Sequence, residues 1–205
     1  MSRWRPGRKS NRAPGSRRGG RWRRHACFGA YHRVRQCYLA AEATRRGKAV
    51  LDCGATDSLG SINAVESLAK INVKKTGRSK MRVNLGDRPT YTFGNGDSKR
   101  VAGRATFEVS ACGDCGTIDF HGLDAKGVPL LLGAKAMKEM GAIIDFDSGK
   151  AVFAKLCPDR VVQLEASSSG HWLLDLSEDL YANEVKPEGC EQLLGLAAAA
   201  KEPSE

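Results

Sequence analysis

The stretch Ala49-Val50-Leu51-Asp52-Cys53-Gly54-Ala55-Thr56 decides how the chain is to be understood. Three apolar residues followed by Asp, a small residue, Gly and Ala describe a buried strand ending in a tight turn that carries a carboxylate. Gly54 has no Cβ and lets a second backbone come close. One carboxylate in such a place is an ordinary strand-end Asp. Two of them brought face to face across an axis cannot both ionise, so they share one proton. The charged member then activates a water while the protonated member polarises a carbonyl.

Outward from this stretch, short β-rich runs alternate with glycine-bearing turns: KAVLDCGATDS (48–58), RPTYTFGNGDSKRVAGRATFEVSACG (88–113), TIDFHGLD (117–124), VPLLLG (128–133) and GAIIDFDSGKAVF (141–153). This spacing predicts a small, mostly β domain of short strands. One helix is expected inside it, Ala134–Met140, because Gly141 is the residue type that stands just past a helix end. Within Tyr91-Thr92-Phe93-Gly94-Asn95-Gly96-Asp97 the Asn-Gly pair is a strong signal for a tight hairpin turn.

Taken together, LDCGAT (51–56), the glycine hairpin around Phe93, Gly94, Asn95 and Gly96, and LLLG (130–133) followed by AKAMKEMGAIIDF (134–146) resemble the retropepsin-like aspartic proteases, in the same order and at similar spacing. The nearest flavour is the protease of copia-type retrotransposon Gag-Pol polyproteins. The resemblance spans roughly residues 48–155. It implies an all-β, small closed-barrel-like acid-protease fold with one short helix. It further implies Asp52 as the catalytic carboxylate, Cys53, Gly54, Ala55 and Thr56 as the active-site loop, and the Gly94–Gly96 hairpin as a flap over an extended peptide substrate. A single motif per chain implies a homodimer with its twofold axis between two copies of Asp52. The implied function is an aspartic endopeptidase that processes a polyprotein, with no metal or organic cofactor. The alternative is a catalytically inactive protease-fold fragment that acts as an RNA-binding Gag-Pol remnant, or as a monomeric scaffold.

The chain departs from that pattern at two places. Cys53 stands where Ser or Thr is expected, and a thiol is a weak hydrogen-bond donor and acceptor compared with a hydroxyl. Ala134 stands where retroviral relatives often carry an Arg that braces the active-site turn. Asp147-Ser148-Gly149 imitates a second active-site tripeptide, but it is followed by Lys150 and flanked closely by strand-like runs, as a hairpin turn is. Cys112-Gly113-Asp114-Cys115 is a lone C-x-x-C without a second pair and is expected in a turn. His121 is expected at the surface or in a turn. His171 has a serine nearby but no acid to make a triad.

Composition divides the chain further. Of 205 residues, 41% are hydrophobic and 27% charged. No run approaches the roughly 20 apolar residues of a membrane helix, so no membrane partner is expected. The net charge of +10 is unevenly spread: residues 1–50 hold fifteen Lys/Arg against one acid, Glu42, while residues 51–205 carry a small acidic excess. Residues 1–24, with ten Lys/Arg, Trp4 and Trp22, read as a disordered arm suited to phosphate contact and base stacking, hence to RNA. Cys27, His32 and Cys37 resemble the last three ligands of a CCHC zinc knuckle with one ligand missing. Alternatively, Tyr31, Val34, Tyr38 and Ala41 make residues 25–47 an amphipathic helix. The protease-like domain is expected over 48–156, with 157–205 a linker and tail carrying a short helix at EQLLGLAAAAK. The seven cysteines, with no export signal, read as reduced thiols, and the expected location is cytoplasmic or a virus-like particle.

Overall fold

The computed structural model describes residues 41–94 and 96–200. The basic arm, the Cys27/His32/Cys37 trio and Asn95 lie outside the described residues. The fold is mostly β. Its largest sheet has eight strands in the order β12-β13-β1-β8-β2-β7-β6-β3. These are Glu165–Ala166, Trp172–Asp175, Lys48–Asp52, Leu130–Gly133, Leu59–Ser61, Asp114–Leu123, Gly103–Ala111 and Met81–Asn84. Two pairings, β1 with β8 and β2 with β7, are parallel, and the rest are antiparallel. The sheet runs from β12 at one edge to β3 at the other without joining them. The expected closed barrel is therefore not present among the described residues. A four-stranded sheet, β14-β11-β10-β9, packs beside it (Glu184–Val185, Val161–Gln163, Lys150–Phe153, Ala142–Asp145). A separate two-stranded hairpin pairs β4 (Thr90–Thr92) with β5 (Ser98–Arg100).

The central hairpin follows directly from its sequence. β6 alternates buried and half-buried residues along its whole length, burying Ala105, Phe107, Val109 and Ala111. This period of two is what one packed sheet face requires. Its two-residue connection to β7 is Cys112-Gly113, with φ of 53° and 89°. Positive φ at both central positions gives the turn whose twist matches antiparallel strands. The C-x-x-C is thus a hairpin turn, as expected. Phe107 and Phe120, both fully buried, meet edge to face at 6.3 Å.

Among the described residues, three helices from Ile62 onward cover these sheets. α2 (Ala134–Met140) is the expected one, closed by Gly141 in the left-handed conformation. α3 (Glu191–Ala199) is the expected C-terminal helix. α1 (Ile62–Thr76) was not expected. It has fifteen residues, Ser61 Oγ accepting from the Ala64 amide at its start, and Gly77 at φ 77° past its end. Residues 41–46 are also helical and bring Ala43 against Val50 and Leu173.

The C-terminal quarter corrects a second expectation. Residues 157–185 are not a linker. β13 pairs with β1, setting Ala49 opposite Leu174 and Val50 opposite Leu173. Leu164, Leu174, Leu176, Leu180 and Tyr181 join the main core with Leu68, Phe107, Leu132 and Phe153. β10 is packed on both sides: Ala151 and Phe153 face that core, while Val152 sits with Val161, Leu193 and Ala197 beneath α3. The cysteines bring a third correction. Cys112, in the β6–β7 turn, is bonded to Cys157 just after β10, 45 residues on. Spacing along the chain could not disclose this pair, because its second member lay in a segment taken for linker. Among the described residues Cys53, Cys115 and Cys190 remain free thiols.

Candidate active site

Asp52 is the last residue of β1, and the chain turns sharply after it. The Ala55 amide donates to the Asp52 carbonyl at 3.2 Å, and the Gly54 amide donates to Asp52 Oδ1 at 2.9 Å. Val50 and Leu51 anchor the strand in the interior, whereas Asp52 is half-buried and Cys53, Gly54 and Thr56 are exposed. A carboxylate is thereby held at the protein surface on a loop whose own backbone orients it.

The partner of this loop is the LLLG segment. Parallel pairing of β1 with β8 sets Leu51 opposite Leu132 and Asp52 opposite Gly133. Past Gly133 the start of α2 takes over: the Ala134 amide donates to the Ala55 carbonyl at 2.7 Å and the Lys135 amide to the Thr56 carbonyl at 3.0 Å. Two amides of the first helical turn, which have no partner within their own helix, therefore tie down the loop that follows Asp52. The Gly133 amide donates to Ser58 Oγ at 3.1 Å. A Cβ at Gly133 would stand 2.5 Å from the Asp57 carbonyl carbon, so no other residue fits without moving the loop. Backbone bonds from the helix start thus brace the turn without an arginine at position 134.

The hairpin expected from Tyr91–Asp97 forms. Tyr91 pairs with Lys99 and Thr92 with Ser98, and the Phe93 amide donates to the Asp97 carbonyl at 2.8 Å. Phe93 is half-buried and packs with Tyr91 and Leu131 against Leu59, Val101 and Leu123. Gly94 and Gly96 are exposed, with open space where a Cβ would stand. The hairpin base is therefore seated on the sheet. The Asp147-Ser148-Gly149 triplet connects β9 to β10, with the Asp145 carboxylate accepting from the Asp147 amide and the Ser148 hydroxyl. It is a turn, as expected.

Sequence inspection missed the polar cluster at the hairpin's foot. Tyr91 Oη donates to Asp57 Oδ2 at 3.2 Å and lies 2.8 Å from His121 Nδ1, its ring tilted over the imidazole at a centroid distance of 5.5 Å. His121 Nε2 faces Asp87 Oδ2 at 3.9 Å, and Arg104 bridges Asp87 and Asp119. Burial, together with the neighbouring Asp57 carboxylate, pushes the Tyr91 phenol above its ordinary range, so it stays protonated. His121 is thus not a surface or turn residue: it stands on β7, half-buried, and its amide donates to the Ser58 carbonyl. The sequence carried a weak hint in DFHG, a histidine inside a strand pattern.

A cavity of about 350 Å³ opens beside the loop, lined among others by Asp57, Ser58, His121, Lys135 and Glu139. Asp52 lies outside it. No group of three or more His, Cys, Asp or Glu side chains is arranged to hold a metal ion among the described residues. No described helix is long and apolar enough to cross a membrane. Comparison with protein-family models, curated proteins and solved structures returns no match.

Proposed function

We propose that the protein is an aspartic endopeptidase of the retropepsin type, active as a homodimer in which two copies of Asp52 form the catalytic pair. The observation that supports this most is the placement of Asp52: it ends a buried strand, sits on an exposed small-residue loop, and stands level with Gly133 of LLLG. That combination offers a carboxylate outward while holding its loop rigidly. It is what a catalytic centre shared between two subunits needs.

In the dimer, two carboxyls a few ångström apart hold a single proton between them, because like charges at that distance disfavour double ionisation. The ionised member takes a proton from a bound water as it attacks the peptide carbonyl. The protonated member donates a hydrogen bond to the carbonyl oxygen as negative charge grows there. No covalent intermediate forms. Substrate lies extended, as an added strand between the Asp52 loops and the Gly94–Gly96 hairpin. Among the described residues β4 and β5 form strand ladders only with each other, so no strand pairing has to break for the hairpin to close on such a strand.

The experiment is concentration dependence. Specific cleavage of an unstructured protein rises with enzyme concentration and levels off where sedimentation finds dimer. Activity that is constant per chain in a strictly monomeric preparation contradicts the proposal.

A further inference from the structure

Resting on the aspartic-peptidase reading, we infer that Tyr91 is a positioning residue that couples the hairpin to the loop carrying Asp52. The coupling runs through Asp57 and Ser58. Tyr91 belongs to β4, in the hairpin; Asp57 ends the loop that begins at Asp52. One residue further on, the Ser58 carbonyl receives the His121 amide of β7, and the Ser58 hydroxyl receives the Gly133 amide of β8. Three separate pieces of the fold therefore meet across two consecutive residues. The phenol is the polar clasp that ties the hairpin to that junction.

Besides the Asp57 bond, the hairpin is held by the 2.8 Å contact of the same hydroxyl with His121 Nδ1 on β7 and by apolar packing of Tyr91 and Phe93 against Leu59, Val101, Leu123 and Leu131. Apolar contact is non-directional and lets a hairpin slide. A hydrogen bond to Asp57 fixes a direction and an endpoint. Between Asp57 and Asp52 the loop is held by the Ala55 and Thr56 carbonyls on the start of α2 and by the Gly54 amide on Asp52 Oδ1. A shift of Asp57 accordingly pulls on the segment that aims the catalytic carboxylate. Closure of the hairpin on substrate and orientation of Asp52 become one motion rather than two. The phenol is bonded to Asp57 and His121 and not to Asp52, so the role assigned to it is positioning and not chemistry.

The test is Tyr91→Phe in the full chain, which keeps the ring on His121 and in the apolar cluster and removes only the hydroxyl. Amide hydrogen exchange is read at Phe93 and Gly96 in the hairpin and at Gly54 and Ala55 in the loop. Exchange is expected to quicken severalfold at both places together. Asp57→Asn, which keeps an acceptor oxygen, should leave exchange near wild type, and Asp57→Ala, which spares the His121 contact, should quicken exchange at both places as the phenylalanine variant does, but by less. In a cleavage assay Tyr91→Phe should lower kcat about tenfold, the size of one lost orienting hydrogen bond, with KM within about twofold. Exchange that quickens in the hairpin alone, or in neither place, overturns the coupling even where cleavage persists. Linked exchange in a chain that never cleaves leaves the coupling standing and removes the peptidase reading instead.

Discussion

Asp52 and Gly133 stand opposite each other in the parallel β1–β8 pair, and the space behind Gly133 is filled by the backbone of Asp57 and Ser58. The two residues are 81 positions apart in sequence. One supplies the carboxylate; the other supplies the absence of a side chain that lets the loop close behind it.

Gly133→Ala should therefore injure the site directly. Inserting a methyl into backbone contact costs roughly 1–3 kcal/mol of stability. Here the atoms that must yield are those of the Asp57 peptide. Urea denaturation should show the loss, and cleavage should fall further than stability alone explains. Ala136→Gly, on the same helix and half-buried, is the control and should leave cleavage intact.

Cys53→Ser should raise activity. The side chain is exposed on the loop that faces outward after Asp52. A hydroxyl bonds better than a thiol, so a serine that reaches across a twofold axis would hold the two loops more firmly. The expected outcome is tighter dimerisation by sedimentation and a higher kcat. Unchanged assembly and unchanged kcat would show that position 53 does not bridge subunits.

Stability should fall in acid for a reason that can be traced to Glu165. Burial opposes ionisation of this carboxyl, but hydrogen bonds from Lys48 and Arg46 outweigh it and hold it below the ordinary glutamate range. A carboxyl lowered on folding contributes stability above its unfolded value, near 4.3 for glutamate, and that contribution disappears as pH falls through the lower folded value. Lys48 is the buried member of the group, with a side chain 7% exposed. Glu165→Gln leaves that ammonium without its carboxylate and should cost about 1–2 kcal/mol at neutral pH, less than a fully buried pair because Arg46 and Glu165 are partly solvated. Thermal melts across pH 3–7 should converge for wild type and variant at the acid end. Parallel curves would contradict the assignment.

Reduction should loosen the C-terminal quarter. The Cys112–Cys157 bond closes a loop of 45 residues, for which chain-entropy reasoning gives about 4 kcal/mol. Reductant should lower the denaturation midpoint and expose two further thiols to titration. Cys157→Ser should match the reduced protein.

The local signals of the site were legible in sequence because each is self-contained. Apolar residues running into Asp-Cys-Gly-Ala mark a strand and its turn, Asn95-Gly96 marks a hairpin, and LLLG before AKAMKEM marks a strand entering a helix. What stayed hidden was set by partners distant in the chain. Leu173 and Leu174 look like any short apolar run until β1 is there to receive them. Cys157 is unremarkable without Cys112. Tyr91, Asp57 and His121 become a cluster only when the hairpin, the loop and β7 converge. α1 is the exception: Ser61 at its start, Gly77 past its end, and Ala64, Val65, Leu68 and Ala69 on one face were all readable. They were outweighed by the β-rich texture on either side.

The basic arm offers a separate test. Deleting residues 1–24 removes ten Lys/Arg and should weaken binding to single-stranded RNA while flattening its dependence on salt. Affinity that survives the deletion would place the contact elsewhere in the chain.

Cleavage of an unstructured protein at acidic pH, by the full chain and by Asp52→Asn at equal concentration, bears most directly on the whole proposal. Wild type should produce discrete fragments and Asp52→Asn none, with both folding and dimerising alike. Equal cleavage by both, or by neither when dimer is present, contradicts a catalytic Asp52.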